Sequence, residues 1–203
     1  MTMNPQLTAI VVHDLKNKLG VLEGQLATLT ADLDQQQALQ AHASCVALRE
    51  KMIAFLTLYK ATEQGLSPRI EAVNPEDFLK ELIRNHSNPR PELKLMMNRD
   101  AIPAIAFFDE HLLGLALDAA LQNATRFAKS SIEVACRKNA GEIVFTVRDD
   151  GPGLGATEEQ TSTGLGMALC EAIAQAHVNG DKHGSTHLNT LADGGALFTI
   201  RLP

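Results

Sequence analysis

Thr8, Val12, Leu15, Leu19, Leu22, Leu26, Leu29 and Leu33 follow one another at alternating steps of four and three. A second run, Ala38, Ala41, Cys45, Leu48, Met52, Phe55 and Tyr59, keeps the same rhythm with steps of three and four. Such spacing lays apolar side chains along one line of a helix and predicts two helices that pack along their length at a shallow angle. The polar stretch Asp34-Gln35-Gln36-Gln37 is the connection, short enough to force an antiparallel hairpin. Two helices enclose no core alone. Pairing two hairpins into a four-helix bundle would finish the burial, so the pattern predicts a homodimer.

The rhythm ends at Glu63-Gln64-Gly65-Leu66-Ser67-Pro68, where Gly and Pro mark a linker. The expected organisation is one domain over residues 1–64 and a second over 65–203. Beyond the linker, strand and helix patterns interleave. Arg69 to Val73 reads as a strand, and Asn74-Pro75-Glu76-Asp77 as a helix start with Pro in the first turn. Phe78, Leu79, Leu82 and Ile83 give that helix its apolar face. Leu93 to Met97 and Ile105 to Phe108 read as strands, and Glu110 to Phe127 as a long helix. Ser131 to Cys136, Glu142 to Arg148 and Ala196 to Leu202 alternate as strands do, and Met167 to His177 reads as a helix. The fold class expected is α+β: a helical hairpin, then an α/β two-layer sandwich with helices on one face of a mixed sheet.

Composition narrows the function classes. Hydrophobic residues are 45% of the 203, enough for a packed core. A net charge of −6 argues against nucleic acid as a partner, because phosphate binding needs clustered Lys and Arg. No apolar run reaches bilayer length and the N-terminus lacks a signal-peptide pattern. Cys45, Cys136 and Cys170 are odd in number and far apart, which suits free thiols in a reducing compartment. The expectation is a soluble cytoplasmic protein with no sensor or membrane anchor of its own.

Two constellations carry chemistry. In His13-Asp14-Leu15-Lys16-Asn17, His13 sits one position past the apolar line and should face solvent. Asp14 can accept a hydrogen bond from the imidazole, and Asn17 lies one turn on along the same face. An imidazole so placed is a nucleophile. Further on, Val144, Phe145 and Val147 deliver Asp149 to a strand end, where Gly151 and Gly153 permit a sharp turn. A buried carboxylate there could accept a proton from an adenine amino group. In Thr163-Gly164-Leu165-Gly166 the glycines open a helix whose bare amides suit a triphosphate. On the long helix Asn123 offers an oxygen to magnesium, and Arg126 could contact phosphates. A histidine able to take a phosphoryl group, beside a site able to hold the donor, is the chemistry of an autokinase.

These residues, in this order, resemble two-component sensor histidine kinases. His13 to Leu19 resembles their H-box, Asn123 to Phe127 their N-box, Asp149 to Gly153 their G1 box and Ser162 to Met167 their G2 box. The resemblance runs from about Ile10 to the final Leu-Pro. It implies a dimerisation and phosphotransfer domain, then an ATP-binding domain of the gyrase, Hsp90, histidine kinase and MutL type. It also implies that His13 is the phosphoacceptor, Asn123 the Mg2+ ligand and Asp149 the adenine contact of bound ATP. The partner implied is the receiver domain of a response regulator, with a separate sensor protein supplying the signal. Asp14 and Asn17 match the spacing of motifs used for regulator dephosphorylation.

The chain departs from that family at three places. Lys18 stands where Pro is usual, predicting a straighter first helix. Ala119 replaces the polar residue four before the N-box Asn; in hydrolytic relatives that place holds the water-activating glutamate, so a gyrase-like ATPase is disfavoured. The lid between Gly153 and Gly164 is short and lacks Phe. The short lid and Ala119 leave a second function open, an ATP-independent phosphotransferase relaying phosphoryl groups between receiver domains. His177, His183 and His187 suggest zinc at first sight, but Gly180 and Gly184 break the segment, and it reads as a loop. Glu158-Glu159 reads as a solvated lid tip.

Overall fold

The computed structural model describes residues 5–31, 34–86, 90, 92–153, 164–192 and 194–203. The chain divides into two compact units, one holding the helical hairpin up to Gly65 and a short segment ending at Leu165, the other the rest of the α/β residues from Leu66 onward. Among the described residues no helix is long and apolar enough to cross a membrane.

The hairpin consists of α1 (Pro5–Ala31) and α2 (Gln35–Gln64). The α1 helix runs unbroken through His13 and Lys18, as the absence of Pro there predicts. The three glutamines expected in the connection form the first turn of α2 instead. Asp34 causes this, because its carboxylate accepts the backbone N–H of Gln36 at 2.6 Å and of Gln37 at 3.4 Å, capping the helix. Glutamine is itself a good helix former.

Each apolar line divides between two directions. Leu22, Ala41 and Leu48 are buried between the helices, with Leu15 and Leu29 packed against them. Val12, Leu19 and Leu26 on α1 stay about half exposed, as do Met52 and Tyr59 on α2. Two crossing helices share one line of contact, so every second member of each series is left over. Leu33 lies outside the described residues.

The α/β unit contains β1 (Glu71–Val73), α3 (Pro75–Asn85), β2 (Lys94–Asn98), β3 (Ala106–Phe108), α4 (Glu110–Phe127), β4 (Ser131–Asn139) and β5 (Glu142–Asp149). After these come α5 (Leu165–Ala176), β6 (Val178–Asn179), β7 (Lys182–His183), β8 (Ser185–Thr190) and β9 (Ala196–Leu202). The main sheet has the order β2-β4-β5-β9-β8, with β2 parallel to β4 and every other pair antiparallel. A second ribbon pairs β1 with β3, and β6 with β7 forms a small hairpin. The segment expected as a loop around His183 therefore holds that hairpin and the edge strand β8.

Local signals explain the helix starts. Asn74 caps α3 by accepting from Glu76 and Asp77 N–H groups at 2.9 and 3.2 Å, with Pro75 in the first turn. Asp109 caps α4 through Leu112 N–H at 2.8 Å. The core forms where the helices bury Phe78, Leu113, Leu117, Leu121, Leu169 and Ile173 together with Ile132, Phe145 and Ile200 of the sheet. Phe78, Phe108 and Phe145 meet edge to face, with centroids 5.2 to 5.9 Å apart. This layer fixes the ends of α4 and β5, which carry the candidate residues Asn123, Arg126 and Asp149.

Candidate nucleotide and phosphoacceptor sites

His13 is exposed on α1. Its Nδ1 lies 3.2 Å from Nδ2 of Asn17, one turn on. The two ends of a carboxamide exchange by a half turn, so Asn17 can donate to Nδ1 or accept from it. Asp14, expected to meet the imidazole, forms a short ion pair with Lys51 of α2 instead. A helical neighbour one position on points about 100° away, whereas one four positions on stands almost directly above. Asn17 therefore takes the place expected for Asp14, and Asp14 is spent on holding the hairpin together.

Asp149 ends β5 with its side chain buried. Its Oδ1 accepts the N–H of Gly151 at 2.8 Å and of Ala196 at 3.3 Å. Among the described residues no donor meets Oδ2. Glycines are required around it for contact reasons as well as turn geometry. A Cβ on Gly151 would stand 2.5 Å from the Phe127 carbonyl oxygen, and one on Gly195 (φ +87°) would stand 2.0 Å from that of Asp149. Gly153, at φ +82°, lies beside Thr190 in the same bend. The loop after β5 is thus pressed against the last residue of α4.

On α4, Asn123 and Arg126 are exposed on successive turns, and the Arg126 guanidinium lies 5.2 Å from the Phe127 ring centre. Ala119 faces α5: a Cβ added to Gly166 would come within 3.9 Å of the Ala119 Cβ. Cys170 donates to the Ala116 carbonyl at 3.3 Å one turn further along the same seam. Small residues at 119 and 166 let these two helices approach. Gly164 precedes α5 at φ +68°, and Leu165 begins the helix. Thr163, the short lid and Glu158-Glu159 lie outside the described residues.

Three arrangements escape reading from sequence. Asp150 turns away from Asp149 and accepts from the backbone N–H of Lys129 (2.8 Å), Ser130 (3.0 Å) and Ser131 (3.2 Å). It also accepts from the hydroxyls of Ser130 (2.5 Å) and Ser131 (3.2 Å). Burial alone would raise its pKa, but the donors from Ser130, Ser131 and Lys129 outweigh that and hold it well below the usual carboxylate range. Next, His86 bridges α3 and α4, with Nδ1 3.0 Å from Asp118 Oδ1 and Nε2 3.0 Å from Thr125 Oγ1. Asp118, next to Ala119, is thereby engaged on the α3 side of the helix. Finally, His177 donates from Nδ1 to the Ile173 carbonyl at 2.8 Å and accepts the Asp109 N–H on Nε2 at 3.1 Å. Burial pushes its pKa down, against upward pulls from the Ile173 carbonyl and the Asp109 charge. Both ring nitrogens serve the fold, which leaves His177 no lone pair for a metal.

With this geometry in place, residues 108–203 match the family of histidine kinase-, DNA gyrase B- and HSP90-like ATPases. The α/β unit of this chain is thus similar to the ATP-binding core of histidine kinases. The chain is similar to sensor histidine kinase CpxA of Escherichia coli, 24% identical over 222 aligned residues that cover all of this chain and 48% of CpxA. It is 30% identical over 112 residues to the signal transduction histidine-protein kinase AfsQ2 of Streptomyces coelicolor, covering 48% of this chain and 20% of that protein. The chain thus spans between a fifth and a half of the length of these relatives. Its fold is that of the Acinetobacter baumannii histidine kinase AdeS, with a TM-score of 0.73 over 94% of this chain and 96% of that one at 20% identity.

Proposed function

We propose that this chain is the kinase core of a two-component system, in which His13 takes the γ-phosphoryl group of ATP and passes it to an aspartate on a response-regulator receiver domain. Residues 1–64 then act as the dimerisation and phosphotransfer domain and residues 65–203 as the catalytic domain. The observation that carries the reading is Asp149: a buried carboxylate with one oxygen fixed by two backbone amides and the other open to a donor such as an adenine amino group. The free thiols Cys45, Cys136 and Cys170 suit a cytoplasmic setting.

The residues present fit a magnesium nucleotide. Asn123 supplies a hard oxygen ligand on an exposed helix face, Arg126 a cation one turn on, and Gly166 a backbone amide in the first turn of α5. Bound magnesium would neutralise phosphate charge. In the transfer step the lone pair of His13 Nε2 attacks the γ-phosphorus, the bond to the bridging oxygen breaks, and ADP leaves with that electron pair. For Nε2 to hold the lone pair, Nδ1 must carry the proton, and Asn17 with its amide oxygen turned inward accepts that proton's hydrogen bond. The same amide can orient a water toward a docked aspartyl-phosphate, which supports a second role for Asn17 in dephosphorylation of the regulator.

Exposed Val12, Leu19, Leu26, Met52 and Tyr59 form an apolar face on the hairpin that a second copy would cover, which supports the homodimer. Calorimetric titration with ATP, with and without Mg2+, tests the nucleotide half. Binding that strengthens with Mg2+ is expected. A folded chain that binds no ATP would favour an ATP-independent phosphoryl relay.

A further inference from the structure

The turn joining α4 to β4 is gripped from both of its polar sides. On the N–H side stands Asp150, with three backbone amides and two serine hydroxyls on one carboxylate. On the carbonyl side stands Arg90, which donates from Nη1 to the carbonyls of Thr125 (3.2 Å) and Ala128 (2.7 Å) and from Nη2 to that of Lys129 (3.3 Å). Thr125 belongs to the last turn of α4, whose carbonyls lack intrahelical partners, Ala128 is its C-cap and Lys129 follows, and a guanidinium there also complements the negative end of the helix dipole.

The position of this clamp gives it more than a stabilising role. Asp150 is covalently next to Asp149, whose free oxygen faces the base in the reading above. The other end of the clamp is the last turn of α4, the helix that carries Asn123 and Arg126. The two halves of the site thus come from different elements, and beside the clamp Gly151 abuts the Phe127 carbonyl. That contact is steric and sets a closest approach. The directional hydrogen bonds that Asp150 accepts add a fixed register between the loop and the end of the helix.

We propose that Asp150 and Arg90 are positioning residues that hold the Asp149 loop in register with the Asn123 helix, so that base and metal-bound phosphates are engaged together. This rests on the magnesium-nucleotide reading. Losing the clamp should therefore spare the contact with the base and weaken the gain in affinity that Mg2+ brings.

Calorimetric titration of ATP with and without Mg2+ on the unaltered chain, Asp150→Ala, Asp150→Asn and Arg90→Gln tests this. Asp150→Ala should lose ~10-fold or more of the Mg2+-dependent gain while Mg2+-free ATP binding changes by less than ~3-fold. Asp150→Asn should behave like the unaltered chain, because its amide oxygen still accepts the three backbone N–H groups and its NH2 can donate to the serine hydroxyls. Arg90→Gln should shift the Mg2+ gain in the same direction as Asp150→Ala, and it decides the matter if Asp150→Ala does not fold. A full Mg2+ gain in folded Asp150→Ala or Arg90→Gln, or an equal loss with and without Mg2+ in them, would overturn the positioning role alone. No ATP binding by the unaltered chain would overturn the nucleotide reading and this inference with it.

Discussion

Asp149 has a divided carboxylate, with Oδ1 accepting from the amides of Gly151 and Ala196 and Oδ2 meeting no donor among the described residues. Replacing it with Asn preserves an oxygen for those amides and removes the charge from the ligand side. Asp149→Asn should therefore keep its melting temperature and weaken ATP binding by ~10- to 150-fold, the range for a lost charge-assisted hydrogen bond of about 1.5–3 kcal/mol. Paired thermal melts and ATP titrations check this, and unchanged affinity would remove Asp149 from the site. At this scale the sequence disclosed the residues through spacing but not their partners. His13 and Asn17 are one turn apart, so their meeting was legible. The ion pair of Asp14 with Lys51 spans 37 residues and depends on how two helices rotate against each other. Asp150 stood inside a recognised motif, yet its contacts 19 to 21 residues away needed the α4–β4 turn to be placed first.

Elements with strong periodicity could be read almost to the residue: α4 and β9 have the bounds their apolar patterns predict. The β8 strand escaped because Leu188 is its one large apolar residue; an edge strand needs little burial and shows little alternation. The two-residue strands β6 and β7 are too short to carry a period. The capping role of Asp34 was missed because a run of glutamines looks like a loop by polarity, although it is helix-forming by propensity. His177 joins the start of α4 to the end of α5, and burial there disfavours its charged form, so its folded pKa lies below 6.5. Between that depressed value and 6.5 the unfolded chain takes up a proton that the folded chain refuses. The stability His177 contributes is therefore fully present above pH 6.5 and is lost as pH falls through its folded pKa. The Asp150 pKa is also depressed in the fold, but its loss begins only near the ordinary carboxylate value of 3.8, well below the His177 window. Denaturation midpoints should fall on acidification from pH 6.5, and His177→Gln, which does not titrate, should flatten that limb. A limb of unchanged slope in the variant would assign the titration to other groups.

For the whole molecule, the unpaired half of each apolar line decides the assembly. Val12, Leu19 and Leu26 with Met52 and Tyr59 leave the hairpin with an apolar face suited to a second copy. Sedimentation should give a dimer at micromolar concentration, and Leu26→Glu should shift it toward monomer; a monodisperse monomer for the unaltered chain would rule out the bundle. Dimerisation would leave the exposed His13 on the flank of the bundle, where a nucleotide-bearing unit and a receiver domain could each reach it in turn. The most direct measurement is incorporation of γ-labelled phosphate from Mg-ATP into the purified chain and into His13→Ala. The account predicts acid-labile, alkali-stable label on the unaltered chain and none on His13→Ala, which still binds ATP. Label that persists in His13→Ala, or ATP binding by the unaltered chain without any phosphohistidine, would contradict it.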